Sequence, residues 1–468
     1  MGGATVHAGP TPGLAFDDSG VPYLQLFLGF TVFVYLLHTY LDVRQLRALR
    51  RPEPPAALAS LFSKELYDKT QAYSLDKWWF ATWHGLYSTA ETLAVFTTGA
   101  LPAAWRLAGD LLAAAAAAWP SVWPAGLLGS GGRGGAAPAW LTCEVAQTVV
   151  FLLGLYCANL LLELPWGLYS TFVIEQRHGF NKQTLGLYVS DMLKQVMLVL
   201  ILLPPIAGGI THILLVAGPL LPLYLWGFMF GLSLFLMTIY PVLIAPLFNK
   251  YEPLPEGSLR TKIEALAGGL AFPLRKLYRV DGSRRSAHSN AYMYGFFNNK
   301  RIVLYDTLIA QCSEEQVVAV LAHELGHWKL RHTPLLFGVN QVVLLSQFCL
   351  FTLVRNSSAL PASFGFPTPP PAFVALILFQ FIVSPLDEVI HYLSNVVSRT
   401  FEFQADAFAV KTGHGADLRA ALLRMEEENK GAMHVDAWYS AYHYSHPPLV
   451  DRLAAIDARG AAAAKKGQ

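Results

Sequence analysis

The chain has 468 residues, of which 54% are hydrophobic and 14% charged, with a formal net charge of +2. Ordinary soluble domains carry roughly a quarter charged residues, so this deficit points to a membrane protein with the lipid bilayer as a partner. The near-neutral balance and the lack of a long basic run argue against nucleic acid as a partner.

A membrane-crossing helix needs about 20 mostly apolar residues. Seven stretches qualify, near 22–41, 81–102, 145–164, 193–215, 219–244, 333–355 and 372–394. The first 21 residues contain no Lys or Arg, so the first run reads as a retained span and not as a cleaved signal. The loop after it holds Arg44, Arg47, Arg50, Arg51, Lys64, Lys69 and Lys77. Basic loops stay in the cytosol, which puts the N-terminus on the far side. With seven spans, residues 245–332 and everything after 395 are then cytosolic. The second span carries His84 and Glu91, the third ends in Glu163-Leu164-Pro165, and the seventh contains Pro385 and Asp387. Such groups either line a wet interior or sit at the headgroups, and both readings stay open.

Residues 107–139 are rich in Ala, Gly and Pro and read as a low-complexity loop, with Ala113–Ala118 as a short helix at most. Residues 256–271 read as an amphipathic helix. Two strands follow, at 289–295 and 301–305, joined by a turn around Asn298-Asn299. Ser313 is placed to cap the next helix, with Gln316 completing a capping box. Four cysteines, Cys143, Cys157, Cys312 and Cys349, include no C-x-x-C pair. They read as buried free thiols.

The helix after Ser313 carries His323-Glu324-Leu325-Gly326-His327, an H-E-x-x-H motif. Residues i and i+4 share a helix face, so both imidazoles can reach one zinc ion. Glu324 then stands beside the open metal position and can take a proton from bound water. His332 is not at ligand spacing and reads as an ordinary residue. A catalytic site wants a third protein ligand, and the best candidate lies in Phe401-Glu402-Phe403-Gln404-Ala405-Asp406. Glu402 and Asp406 share a face, so one can bind metal while the other accepts the free N–H of a ligand histidine. The stretch Tyr442-His443-Tyr444-Ser445-His446-Pro447-Pro448, with Arg452 one turn on, is dense in hydrogen-bond donors. A histidine there can stabilise an oxyanion.

These residues together resemble the type I CAAX prenyl protease family. The likeness includes Gln71-Ala72-Tyr73, Thr171-Phe172-Val173-Ile174-Glu175, His178-Gly179-Phe180-Asn181-Lys182, Ala245-Pro246-Leu247-Phe248-Asn249-Lys250, Asn290-Ala291-Tyr292 and His323-Glu324-Leu325-Gly326-His327-Trp328. It implies a mainly helical barrel of seven transmembrane helices around a large chamber, capped by a gluzincin-type zinc metallopeptidase domain. It implies one zinc ion per chain, with His323, His327 and Glu402 as ligands, Glu324 as general base and Asp406 behind the ligands. It also implies that His446 and Arg452 line the site and that Asn290, Ala291 and Tyr292 meet the substrate backbone by strand addition. The expected organisation is 1–244 for five membrane helices, 245–332 for the first part of the catalytic domain, 333–397 for two more helices, and 398–468 for the rest.

The expected activity is removal of the C-terminal aaX tripeptide from a prenylated CAAX peptide or protein, with room for a second upstream cleavage. A membrane quality-control metalloprotease is the rival. A site-2-type protease fits less well, because Lys329, Arg331 and His332 follow the motif, and a non-enzymatic prenyl-binding scaffold has no need of a full ligand set. The Lys465-Lys466 pair resembles a dilysine signal of endoplasmic reticulum membrane proteins, the expected location of the chain, with a merely basic tail as the alternative reading.

Overall fold

The computed structural model describes residue 18 and residues 20–118, 143–295 and 299–466. The low-complexity reading of 119–139, part of the turn at Asn298, and the final Gly467-Gln468 lie outside these residues. Eighteen elements carry the argument. Six helices come first: α1 (Tyr23–Leu49), α2 (Lys64–Thr97), α3 (Ala100–Ala118), α4 (Cys143–Tyr169), α5 (Leu185–Val216) and α6 (Leu221–Ile239). Strand β1 (Tyr251–Pro253), helix α7 (Ser258–Gly269) and strands β2 (Leu274–Val280), β3 (Ala291–Tyr294) and β4 (Lys300–Tyr305) follow. The chain ends in α8 (Asp306–Gln311), α9 (Glu314–Lys329), α10 (His332–Val354), α11 (Ala372–Lys411), α12 (Gly415–Asn429), α13 (Ala437–His443) and α14 (Leu449–Lys466).

Among the described residues, six helices are long and apolar enough to cross a membrane: α1, α4, α5, α6, α10 and α11. The second expected span, 81–102, is the one left out, and most of it lies in α2. At 34 residues it extends about 50 Å, but its charged and polar side chains dilute the apolar run. The start of the expected low-complexity loop is instead helical through Ala118, as α3.

The long helices stand side by side as a closed wall. Each of α1 to α6 packs on the next, α6 meets α10, α10 meets α11, and α11 returns to α1. Only 6% to 22% of the apolar window of each span is buried. A solid bundle would bury a continuous face of every helix, so so little burial fits a ring around an open interior. Two apolar clusters tie neighbouring helices of the ring together. One groups Leu101, Trp105, Phe151, Phe364 and Leu378, the other Leu214, Leu221, Phe348, Phe351 and Phe379. His84, Glu163 and Asp387 find partners on other helices. His84 Nε2 lies 2.9 Å from Glu163 Oε2, and Gln347 Nε2 donates to Asp387 Oδ1 at 2.7 Å.

One end of the ring is capped by a sheet in the order β1-β2-β4-β3, with β1 and β3 antiparallel to their neighbours and β2 parallel to β4. Strand β3 is therefore an edge. The sheet packs on α9 through Ile302, Leu304, Val317, Leu321 and Leu325. The opposite flank of α9 offers Ala319 and Ala322 to a cluster with Ala409, Leu418 and Leu422. The expected boundary between 397 and 398 falls inside α11, an unbroken helix of 40 residues that runs from the membrane wall into the catalytic domain. Of the described cysteines, Cys312 is buried as expected, but Cys157 and Cys349 are exposed. Both lie on membrane-spanning helices, whose exposed flanks a bilayer or the interior covers.

Candidate metal centre

Helix α9 begins with the expected capping box. Gln316 N–H donates to Ser313 Oγ at 3.3 Å, and Ser313 N–H donates to Gln316 Oε1 at 2.9 Å. This fixes the helix start ten residues before His323. Gly326 allows the next step, because a Cβ there would lie 3.1 Å from Phe408 Cβ and 3.2 Å from Ala405 Cα. Without that Cβ, α11 crosses α9 closely enough to bring its acidic pair onto the two histidines.

The convergence is tight. His323 Nε2 and His327 Nε2 are 3.2 Å apart. Glu402 Oε2 is 3.5 Å from the first and Glu402 Oε1 is 3.3 Å from the second. Donors bound tetrahedrally at about 2.0–2.1 Å stand about 3.3 Å from one another, so this triangle has the dimensions of a zinc-sized site. Among the described residues it is the one group of three such donors within 4.8 Å. Two imidazole nitrogens and a buried carboxylate converging within 3.5 Å are the donor set that a catalytic zinc ion takes. The residues present therefore fit a metal ion.

Behind the triangle lies a second layer. Asp406 is fully buried, and its Oδ1 is 2.8 Å from His323 Nδ1. Arg452 donates to the same carboxylate from Nε at 2.9 Å and from Nη2 at 2.7 Å. The Arg452 side chain is 12% exposed, and its Nη1 is 3.7 Å from Glu402 Oε2. The guanidinium is thus spent on Asp406, inside the wall of the site. His446 is placed differently. Its side chain is 67% exposed and its Nδ1 lies 2.9 Å from Glu402 Oε2. The loop that carries it is held by α11, where Asn395 Nδ2 donates to Tyr442 O at 2.7 Å and Arg399 Nη1 to Tyr444 O at 2.5 Å.

Glu324 faces His323, His327, Glu402 and His446, and burial pushes its carboxyl above the usual carboxylate range. A raised value near a metal position suits a group that must both take up and release a proton.

Asn290, Ala291 and Tyr292 lie where the chain enters β3. Asn290 is exposed, and its carbonyl accepts from Tyr305 N–H at 3.1 Å. Pairing in an antiparallel ladder alternates. With Ala291 opposite Leu304 and Tyr292 opposite Val303, the backbone of Ala291 and Met293 is turned to the open edge, and that of Tyr292 to β4. The Tyr292 hydroxyl meets that of Tyr251 at 2.8 Å. Met293 is thus an edge position that the sequence reading did not single out.

His332 corrects that reading. It is 3% exposed, its Nδ1 lies 2.9 Å from His327 Nδ1, and its Nε2 lies 2.9 Å from Gln404 Oε1. On one continuous helix a residue five positions on points about 140° away, so spacing gave no signal. The chain breaks at Arg331, whose φ of 61° and ψ of 31° are left-handed, and α10 swings His332 back to the site.

Residues 253–460 match peptidase family M48, and residues 45–250 match the CAAX prenyl protease N-terminal family with its five membrane helices. The Arabidopsis thaliana protein called CAAX prenyl protease 1 homolog is 52% identical over 438 residues, which cover 93% of this chain and 98% of that one. Its counterpart from Oryza sativa subsp. japonica is 50% identical over the same length and the same shares. The crystal structure of S. mikatae Ste24p matches with a TM-score of 0.84 at 34% identity, covering 93% of this chain and 99% of that chain. Sequence, fold and metal-ligand geometry agree, and the chain belongs to the CAAX prenyl protease 1 branch of peptidase family M48, the multi-pass membrane metallopeptidases.

Proposed function

We propose that this chain removes the C-terminal aaX tripeptide from prenylated CAAX proteins, with zinc as its metal, one ion per chain. The observation that carries the reading is the donor triangle of His323, His327 and Glu402, with Glu324 beside it, at the inner end of a closed ring of apolar helices. Such a ring can hold a prenyl chain away from water while a short polar tail reaches the site. His323, His327 and Glu402 would hold the zinc. When bound, the ion polarises the scissile carbonyl and acidifies water.

The residues divide the remaining work. The open edge of β3 pairs with the substrate backbone and fixes its direction. Glu324 takes a proton from the attacking water and later gives it to the leaving amine, so it ends the cycle as it began. His446, exposed to the cleft, donates to the oxygen that gains charge in the transition state. Asp406 accepts from His323 Nδ1–H and so leaves Nε2 free as a donor, and Arg452 holds Asp406 in place. Arg452 is a positioning residue in this scheme.

The same reading puts the chain in the endoplasmic reticulum membrane, with the N-terminus lumenal and the catalytic domain on the cytosolic side. A second, upstream cleavage would use the same edge strand and base. The test is tripeptide release from a farnesylated CAAX peptide by the purified protein in detergent, beside an unprenylated peptide and Glu324→Gln. Release that needs both the prenyl group and Glu324 is expected. Equal cleavage of both peptides would instead favour a quality-control protease. Retained turnover by Glu324→Gln would overturn the base assignment.

A further inference from the structure

We propose that His332 and Gln404 form a hydrogen-bonded relay that fixes His327 as a metal ligand. His327 points its Nε2 into the donor triangle, 3.3 Å from Glu402 Oε1, so its proton must sit on Nδ1. That N–H donates to His332 Nδ1 at 2.9 Å. His332 accepts there and so carries its own proton on Nε2, which donates to Gln404 Oε1 at 2.9 Å. Each proton position follows from the one before it, and the tautomer of His327 is set from outside.

The relay is built, not incidental. The His332 ring stacks on Phe401 with centroids 4.0 Å apart and planes 1° apart, which supports the plane of the ring. Phe401 and Gln404 both sit on α11, the helix that supplies Glu402 and Asp406. One helix thus provides a ligand, the outer partner of His323 and the group that ends the relay behind His327. The two histidines are nevertheless treated differently. His323 leans on a carboxylate, Asp406, whereas His327 leans on a neutral ring. An imidazole acceptor orients the ligand without adding a second negative charge behind the metal. It therefore holds the ligand while leaving the metal more of its polarising power.

The inference rests on the metal assignment above, and its test separates the two. Zinc affinity is measured by chelator competition on the purified full chain, and the visible spectrum of the Co²⁺-loaded protein reports the ligand field directly. His332→Phe keeps a ring against Phe401 but leaves His327 Nδ1–H without an acceptor. Loss of such a partner typically weakens metal binding about 10–100-fold. His332→Gln restores an acceptor and should recover part of that loss and part of the spectrum. Gln404→Leu changes an exposed residue, so folding survives, and it should give a smaller loss with the same spectral direction. Wild-type affinity and spectrum in Gln404→Leu, or in a folded His332→Phe, would overturn the relay. A wild-type chain that binds no zinc would overturn the metal assignment instead.

Discussion

Replacing Gly326 by alanine tests whether the metal centre depends on how closely α9 and α11 cross. The added Cβ would stand 3.1 Å from Phe408 Cβ and 3.2 Å from Ala405 Cα. Ordinary carbon contacts are about 3.5–4.0 Å, so the helices must part by about 0.5 Å. Neither neighbour can rotate away, since one atom belongs to the backbone and the other is bonded to it. Overpacking of this kind costs about 1–3 kcal/mol, and the better helix propensity of alanine returns at most about 1 kcal/mol. A net loss of about 1–2 kcal/mol in stability is expected. Metal binding should suffer more. Ligand distances tolerate about 0.2 Å, and the parting separates His323 and His327 on α9 from Glu402 on α11. Zinc affinity should fall at least about tenfold, equivalent to about 1.4 kcal/mol. The assay is chelator competition in detergent beside thermal unfolding. Wild-type affinity in a folded Gly326→Ala protein would refute the view that this crossing sets the ligand triangle.

Three further outcomes are expected. Asp406→Ala removes the carboxylate that is hydrogen-bonded to the buried Arg452 guanidinium, at a cost of about 3–5 kcal/mol; thermal unfolding should show it, and zinc content should fall with it. Arg331→Gly relieves a left-handed backbone at φ 61° and should raise stability by about 1 kcal/mol, with zinc affinity unchanged; a loss of affinity would mean that the Arg331 side chain matters as well. Glu426 on α12 is pushed up to about 7 by burial, against the opposing charge of Arg452. Between the ordinary value of about 4.3 and about 7, the folded chain holds a proton that the unfolded chain releases. Stability should therefore fall as pH rises through that window. Glu426→Gln should flatten this part of the melting profile, and an unchanged slope would exclude Glu426 as its source.

Some of this protein was legible from local chemistry. Long apolar runs become membrane helices because the backbone must satisfy its own hydrogen bonds in lipid, and length and composition show that directly. The i, i+4 spacing of His323 with His327, and of Glu402 with Asp406, puts each pair on one helix face whatever surrounds it. Ser313 and Gln316 specify their capping box within four residues. Strand β2 was missed because Leu277 and Val280 are its buried residues, a three-residue spacing that looks helical, with a register shift between Leu274 and Lys276.

What remained was decided by contacts between distant segments. Which acid faces the metal depends on the crossing of α9 with α11, and Gly326 controls that crossing only because Ala405 and Phe408 lie opposite. The place of Arg452 follows from the buried carboxylate it meets, 46 residues away in the chain. His332 becomes a partner of His327 because one left-handed residue reverses its direction, and Arg331 carries no local sign of that conformation. A sequence states which side chains can share an element, since the period of the backbone is fixed. It does not state which elements meet, since that is settled by packing across the whole chain.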